Sequence, residues 1–283
     1  MGYLLLSILS SAAVTLLLRL FSSRQGNRFG LLPGNYLVCA LLAFCLLSDR
    51  SEVLRGSPVT WLCGVAGGFL FVGGLICMQS SVRRSGAALT AAFAKLGLLV
   101  PLIISTVWFH ERPGKVQLLG IGLALTAILI LNGRREPGDA SPAPSLLLPL
   151  MTLLLVGASD GMSKVFERLG SRAEDALYFL YVFTVAALLA GLLVLLEKRR
   201  SGRGLTWGDL GRGAAVGVPN YFSSYWLLLS LERLEAVLVF PAFSVGTILT
   251  VTVLGALLFH ERLGRRQLWG LGCILIALVL LNL

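Results

Sequence analysis

Apolar runs close to twenty residues long follow one another along this chain, separated by short polar stretches. A helix needs about 20 apolar residues to cross about 30 Å of hydrocarbon. The pattern therefore predicts ten membrane-spanning helices, at about 2–20, 31–48, 59–79, 86–109, 116–132, 146–166, 175–196, 210–231, 235–259 and 267–283. The separators carry turn-forming and charged residues: "SSRQGNRFG", "SDRSEVLRGSP", "RRSG", "ERPGK", "ERLGSRAED" and "ERLGRR". The first run has no basic residue ahead of it and no small-residue cleavage site, so it reads as a transmembrane helix rather than a removed signal peptide.

The longest polar segment near mid-chain, "GRREPGDASPAPS" at 133–145, divides the sequence into 1–132 and 146–283. These halves repeat. "FHERPGKVQLLGIGLALTAILILN" (109–132) aligns without gaps to "FHERLGRRQLWGLGCILIALVLLN" (259–282), offset by 150, with 13 of 24 positions identical. Two unrelated apolar helices would share leucines, but not this spaced set of glycines and polar residues. Five helices per half is an odd number, so the second half enters the membrane from the opposite side. Inverted repeats of this kind are a common plan of secondary transporters, with the site near the midplane. The expected fold class is an all-α integral membrane protein, ten transmembrane helices arranged as two inverted five-helix repeats.

Composition agrees with this reading. The chain is 56% hydrophobic with a mean hydropathy of +0.85, and its 13% of charged residues falls well below the roughly 25% of a soluble domain. A net charge of +10 invites a nucleic-acid reading, but the basic residues lie in short clusters between apolar runs, such as "EKRRSGRG" at 197–204. That distribution suits loops at a membrane surface. The five cysteines sit inside apolar runs with no CxxC pair, and His110 and His260 are the only histidines. A metal centre or a Ser-His-Asp site would be short of parts, so no catalytic residue, metal or cofactor is expected. No Walker A sequence is present, which argues against direct ATP drive.

Ten helices, two five-helix repeats and an "FHER" turn between the fourth and fifth helix of each half resemble the drug/metabolite transporter superfamily, EamA type. The resemblance covers essentially the whole chain and is best marked at 86–132 and 235–282. It implies a carrier of small polar metabolites, often amino acids or related compounds, in the bacterial cytoplasmic membrane. The family motif usually has glycine before the glutamate. This chain has His110 and His260 there, and no role is carried onto them.

Several residues could carry chemistry. Glu111 and Glu261 sit at the mouths of the fourth and ninth helices, where capping the loop or the next helix explains them best. Gly64, Gly67, Gly68 and Gly74 suggest close packing of the third helix. In the eighth helix, "GVPNYFSSYW" puts Gly217, Asn220, Tyr221 and Ser224 on one stripe beside Pro219. A polar stripe belongs in the bundle interior, as cavity lining or as helix–helix hydrogen bonding. Pro101, Pro241 and Gly246 are expected to bend or interrupt the fourth and ninth helices. Asp160 and Lys164 are spaced for a local ion pair, with Lys164, opposite Arg19 in the repeat, snorkelling to the interface.

Lys95 is the outlier. It lies mid-span, where a lysine costs about 2.5–3.5 kcal/mol to insert, and its repeat counterpart is Val245. It can anchor an anionic group, titrate in proton coupling, or pair structurally, with Asp160 the nearest acid by depth. The substrate-binding set expected from the sequence is Lys95, Asp160, Asn220, Tyr221 and Ser224. The expected function is secondary active transport of a small polar or anionic metabolite, with a coupling proton or counter-substrate, by a monomer or homodimer embedded in lipid. The rival readings are a membrane-embedded lipid-modifying enzyme and a non-transporting receptor or scaffold.

Overall fold

A computed structural model describes residues 1–21, 29–47, 53, 55–85, 87–132, 146–202, 204–259 and 265–281. The described chain is helical without strands: α1 (Gly2–Phe21), α2 (Leu31–Cys45), α3 (Pro58–Ser85), α4 (Ala87–Leu96), α5 (Leu99–Ile103), a π-helical segment (Ile104–Trp108), α6 (Lys115–Asn132), α7 (Leu147–Leu169), α8 (Asp175–Ser201), α9 (Trp207–Leu231), α10 (Ala236–Phe259) and α11 (Arg265–Leu281). Four stretches, Gly2–Phe21, Pro58–Val82, Arg172–Ser201 and Ala236–Leu258, are long and apolar enough to cross a bilayer. Leu31–Cys45, Phe93–Trp108, Lys115–Ile130 and Leu268–Leu281 are apolar but shorter. Large apolar side chains are exposed along these helices, among them Leu119, Leu188, Leu195 and Trp269. In lipid such faces need no cover, because the hydrocarbon is as apolar as leucine. The segment 133–145 and the second "FHER" turn, with His260 and Glu261, lie outside the described residues.

The chain divides into two compact units, Met1–Val72 with Val165–Leu229, and Gly73–Lys164 with Ser230–Leu283. Each unit takes helices from both sequence halves, so the compact bodies cut across the repeat. In the first unit α2 packs along α8, the second helix of each half. Glycines bring the third helix of one half onto the second helix of the other. A Cβ on Gly68 would come within 2.7 Å of the Val182 carbonyl oxygen, and one on Gly217 within 2.6 Å of the Asn35 carbonyl oxygen. The packing expected of the third-helix glycines holds at Gly64 and Gly68, and Gly213 and Gly217 do the same in α9. Between these helices Tyr36, Phe71 and Phe183 form mutual ring contacts with centroids 5.9–6.4 Å apart, and Phe166 stacks on Tyr178 at 4.1 Å.

The N-termini of α3 and α9 are capped in related ways. Thr206 Oγ1 accepts the Asp209 N–H at 3.1 Å, and Asp209 Oδ2 accepts the Thr206 N–H at 3.3 Å, a reciprocal capping box. At α3 the Ser57 hydroxyl accepts the Thr60 N–H at 3.3 Å, but the acid comes from elsewhere in the chain. Glu174, ahead of α8, accepts the Ser57 N–H at 3.2 Å and its hydroxyl at 2.7 Å. In the second unit the fifth helices of the two halves, α6 and α11, lie along each other, and α10 packs on both.

Candidate functional site

The fourth apolar run of the sequence is not one helix; it breaks between Leu96 and Leu99. Pro101 has no N–H to give to Gly97, the residue four positions back, and its ring crowds that carbonyl. Instead Val100 donates to the Gly97 carbonyl at 2.9 Å and Leu98 to that of Lys95 at 3.4 Å, both across three residues. The α4 helix ends at Leu96, and α5 restarts at Leu99. Prolines 219 and 241 lie inside continuous α9 and α10. The expectation that Pro241 and Gly246 interrupt their helix is thus corrected. The residue four positions back is Ala215 for Pro219 and Val237 for Pro241, whereas Gly97 alone of the three lacks a Cβ to hold the helical backbone.

Against this break lies α7. A Cβ on Gly97 would stand 3.1 Å from both the Gly157 nitrogen and the Leu153 carbonyl oxygen, and one on Gly161 2.7 Å from Ile104 Cδ1. Gly157 and Gly161 therefore let α7 sit backbone-to-backbone on the fourth run, and the turn they occupy also carries Asp160 and Lys164. Lys95, in the last turn of α4, and Asp160 lie near enough that each feels the charge of the other. Both nevertheless keep accessible surface, and among the described residues no hydrogen bond or ion pair engages either one. They form an open pair, close enough to couple and not in contact.

The second charge pair on α7 is closed. Lys164 Nζ lies 2.7 Å from Glu111 Oε1, with the side chains 1% and 4% exposed. Lys164 therefore neither snorkels nor pairs with Asp160, as its spacing suggested, because the fold brings an acid from the "FHER" turn directly over it. Glu111 also accepts the Ser105 hydroxyl and, at 2.9 Å, the N–H of Ala236, the first residue of α10. The capping role expected of Glu111 is present at the start of α10. His110 beside it has a φ of 55°, a left-handed conformation unusual for a residue other than glycine.

The remaining expected residues lie in the other compact unit. Asn220 donates to Asn35 Oδ1 at 3.2 Å and approaches the Cys39 sulfur at 3.8 Å, tying α9 to α2. Tyr221 is fully buried among Phe179, Phe183 and Tyr225, with its hydroxyl unpaired. Ser224 is half-buried one turn further on. The structure thus gathers Lys95 and Asp160 in one unit, and Asn220, Tyr221 and Ser224 along α9 in the other. The direct Lys164–Glu111 contact was missed from sequence. The signal available was the shared α7 phase of Gly157, Asp160, Gly161 and Lys164.

The EamA-like transporter family matches residues 1–133 and 147–283. The chain belongs to that family. It is a multi-pass membrane protein of a transporter family, as the apolar helices also require. A Haemophilus influenzae protein, itself described as uncharacterized, is 23% identical to this EamA-like chain over 283 aligned positions, covering 96% of this chain and 94% of that one. A solved crystal structure shares the fold at a TM-score of 0.77 and 16% identity, covering 98% of this chain and 94% of its own.

Proposed function

We propose that this EamA-like chain is a secondary active transporter. It carries a small polar or anionic metabolite, such as an amino acid or related carboxylate, across the bacterial cytoplasmic membrane by alternating access through ten spans. The observation that carries the reading is the open Lys95–Asp160 pair beside the break at Gly97. A buried ion pair serving only the architecture closes to contact, as Lys164–Glu111 does at 2.7 Å, since separation in low dielectric forfeits attraction without restoring hydration. An open pair that keeps accessible surface leaves its charges available to a third charged group. A substrate carboxylate would take Lys95, whose ammonium has no other acceptor among the described residues. Broken helices beside ionisable residues are a usual form of transporter binding site. A coupling proton or counter-substrate supplies the drive, and the working unit is a monomer or homodimer.

The test is a thermal-shift screen of purified protein against amino acids, organic acids, nucleosides and quaternary amines, followed by uptake in reconstituted vesicles. A carboxylate should stabilise and cross with the wild type. Lys95→Met should lower its transport by about tenfold or more, the scale of one lost charged hydrogen bond. Unchanged transport by a normally inserted Lys95→Met protein would sink the assignment of Lys95.

A further inference from the structure

Two charges stand one turn apart on α7, and the fourth run offers each a partner of opposite sign. Asp160 faces Lys95 without contact, while Lys164 holds Glu111 at 2.7 Å. Residues four apart on a helix are neighbours, and lysine's flexible four-carbon stem lets its ammonium swing between sites. Besides Glu111, Lys164 therefore has Asp160 one turn back along α7. Which one it serves depends on Lys95. While Lys95 is free, its field balances Asp160, and Lys164 stays on Glu111. Once the negative group of a substrate neutralises Lys95, Asp160 is left as an uncompensated carboxylate, which is costly. Lys164 is the neighbouring cation able to relieve it.

We propose that Lys164 exchanges between Glu111 and Asp160, and that the exchange releases the end of the fourth run from α10 when an anion fills the site. This rests on the transport reading of Lys95 and Asp160. Glu111 is the joint: with Lys164 beside it, it accepts the Ser105 hydroxyl from the π-helical segment and the Ala236 N–H from the start of α10. Ala236 is the first residue of its helix, so its N–H has no intrahelical acceptor and depends on this bond. Deprived of Lys164, a buried Glu111 takes up a proton, which weakens the bond from Ala236, or turns away, which breaks it. The neighbouring backbone is suited to motion. His110 holds a strained φ of 55°, and the fourth run breaks at Gly97–Leu98 and passes into a π-helical segment. The exchange answers to a net anion, because a zwitterion whose own ammonium met Asp160 would leave Lys164 in place. Glu111 and Lys164 are positioning residues in this scheme and need not touch the substrate.

No substrate is required to test it, since Lys95→Met removes the same charge that an anion would neutralise. The readout is hydrogen exchange of the Ala236 amide in full-length protein in lipid nanodiscs, resolved with overlapping peptides. Lys95→Met, and Lys95→Gln as a second variant in case the first misfolds, should speed exchange by about three- to tenfold, the range of one lost hydrogen bond. Adding Asp160→Asn to Lys95→Met should restore the wild-type rate, because the carboxylate proposed to draw Lys164 away is gone. Glu111→Ala should speed exchange whatever stands at position 95. The exchange scheme is overturned if both Lys95 variants keep the wild-type rate, if the increase persists in the Lys95→Met/Asp160→Asn double variant, or if Glu111→Ala has no effect. Failure of the transport reading would show differently: no carboxylate would bind or cross in vesicles while these exchange ratios stood.

Discussion

Replacing Lys164 with methionine should destabilise the protein strongly, and the size of the effect separates a buried pair from an interfacial lysine. At 2.7 Å the attraction between Lys164 and Glu111 is about 6 kcal/mol at an effective dielectric of about 20, much of it offset by desolvation of both ions. Methionine fills most of the lysine's volume, so the cavity left behind is small. What remains is a carboxylate with a 4% exposed side chain that has lost its ammonium partner and still accepts the Ala236 N–H and the Ser105 hydroxyl. Removing one partner of such a pair costs about 3–5 kcal/mol, whereas losing an exposed pair costs about 0–1 kcal/mol. Adding Glu111→Gln removes the stranded charge and keeps an acceptor for Ala236. The double variant should therefore recover to within about 1–2 kcal/mol of wild type, the scale of one weakened hydrogen bond. Unfolding in mixed micelles with increasing denaturing detergent measures all three differences. A Lys164→Met protein within about 1 kcal/mol of wild type, or a double variant no better than the single, would refute the argument.

Gly157→Ala should cost about 1–3 kcal/mol, the usual range for overpacking, because its Cβ would meet the Gly97 carbonyl oxygen, which is backbone and has no rotamer to change. The control is Gly191→Ala, whose Cβ would meet nothing within 4 Å; equal stability of the two variants in the same detergent assay would contradict the close α7 packing. Asn220→Leu, which loses the hydrogen bond to Asn35, should lower stability by about 0.6 kcal/mol, the average for such bonds between membrane helices. A transport loss far beyond that change would give Asn220 a direct part in the substrate path.

Much of this protein is legible in its sequence, because lipid imposes a one-dimensional constraint. Each helix must satisfy its own backbone and present about 20 apolar residues, so runs and separators give the helices directly. The third-helix glycines Gly64 and Gly68 could likewise be read as packing residues, since small side chains have few other uses between membrane helices. Lys95 and Asp160 stood out for the same reason: a charge inside an apolar run calls for an explanation wherever it packs.

Partnership was decided by the tertiary structure. Spacing along α7 offered Asp160 to Lys164, but an approach of elements remote in sequence gave Lys164 to Glu111 and placed Lys95 across from Asp160. The same holds for the caps: Asp209 closes its own helix end in sequence-local fashion, whereas Ser57 receives its acid from Glu174. Pro101, Pro219 and Pro241 look alike as letters, yet only the fourth run breaks, where the crowded carbonyl belongs to a glycine. The sequence by itself determined that the chain is built of apolar helices and which of their residues are anomalous in lipid, because insertion depends on each segment's own transfer energy. Which charges close on each other and which stay open depends on distances across the fold, set by helix packing that no local pattern encodes.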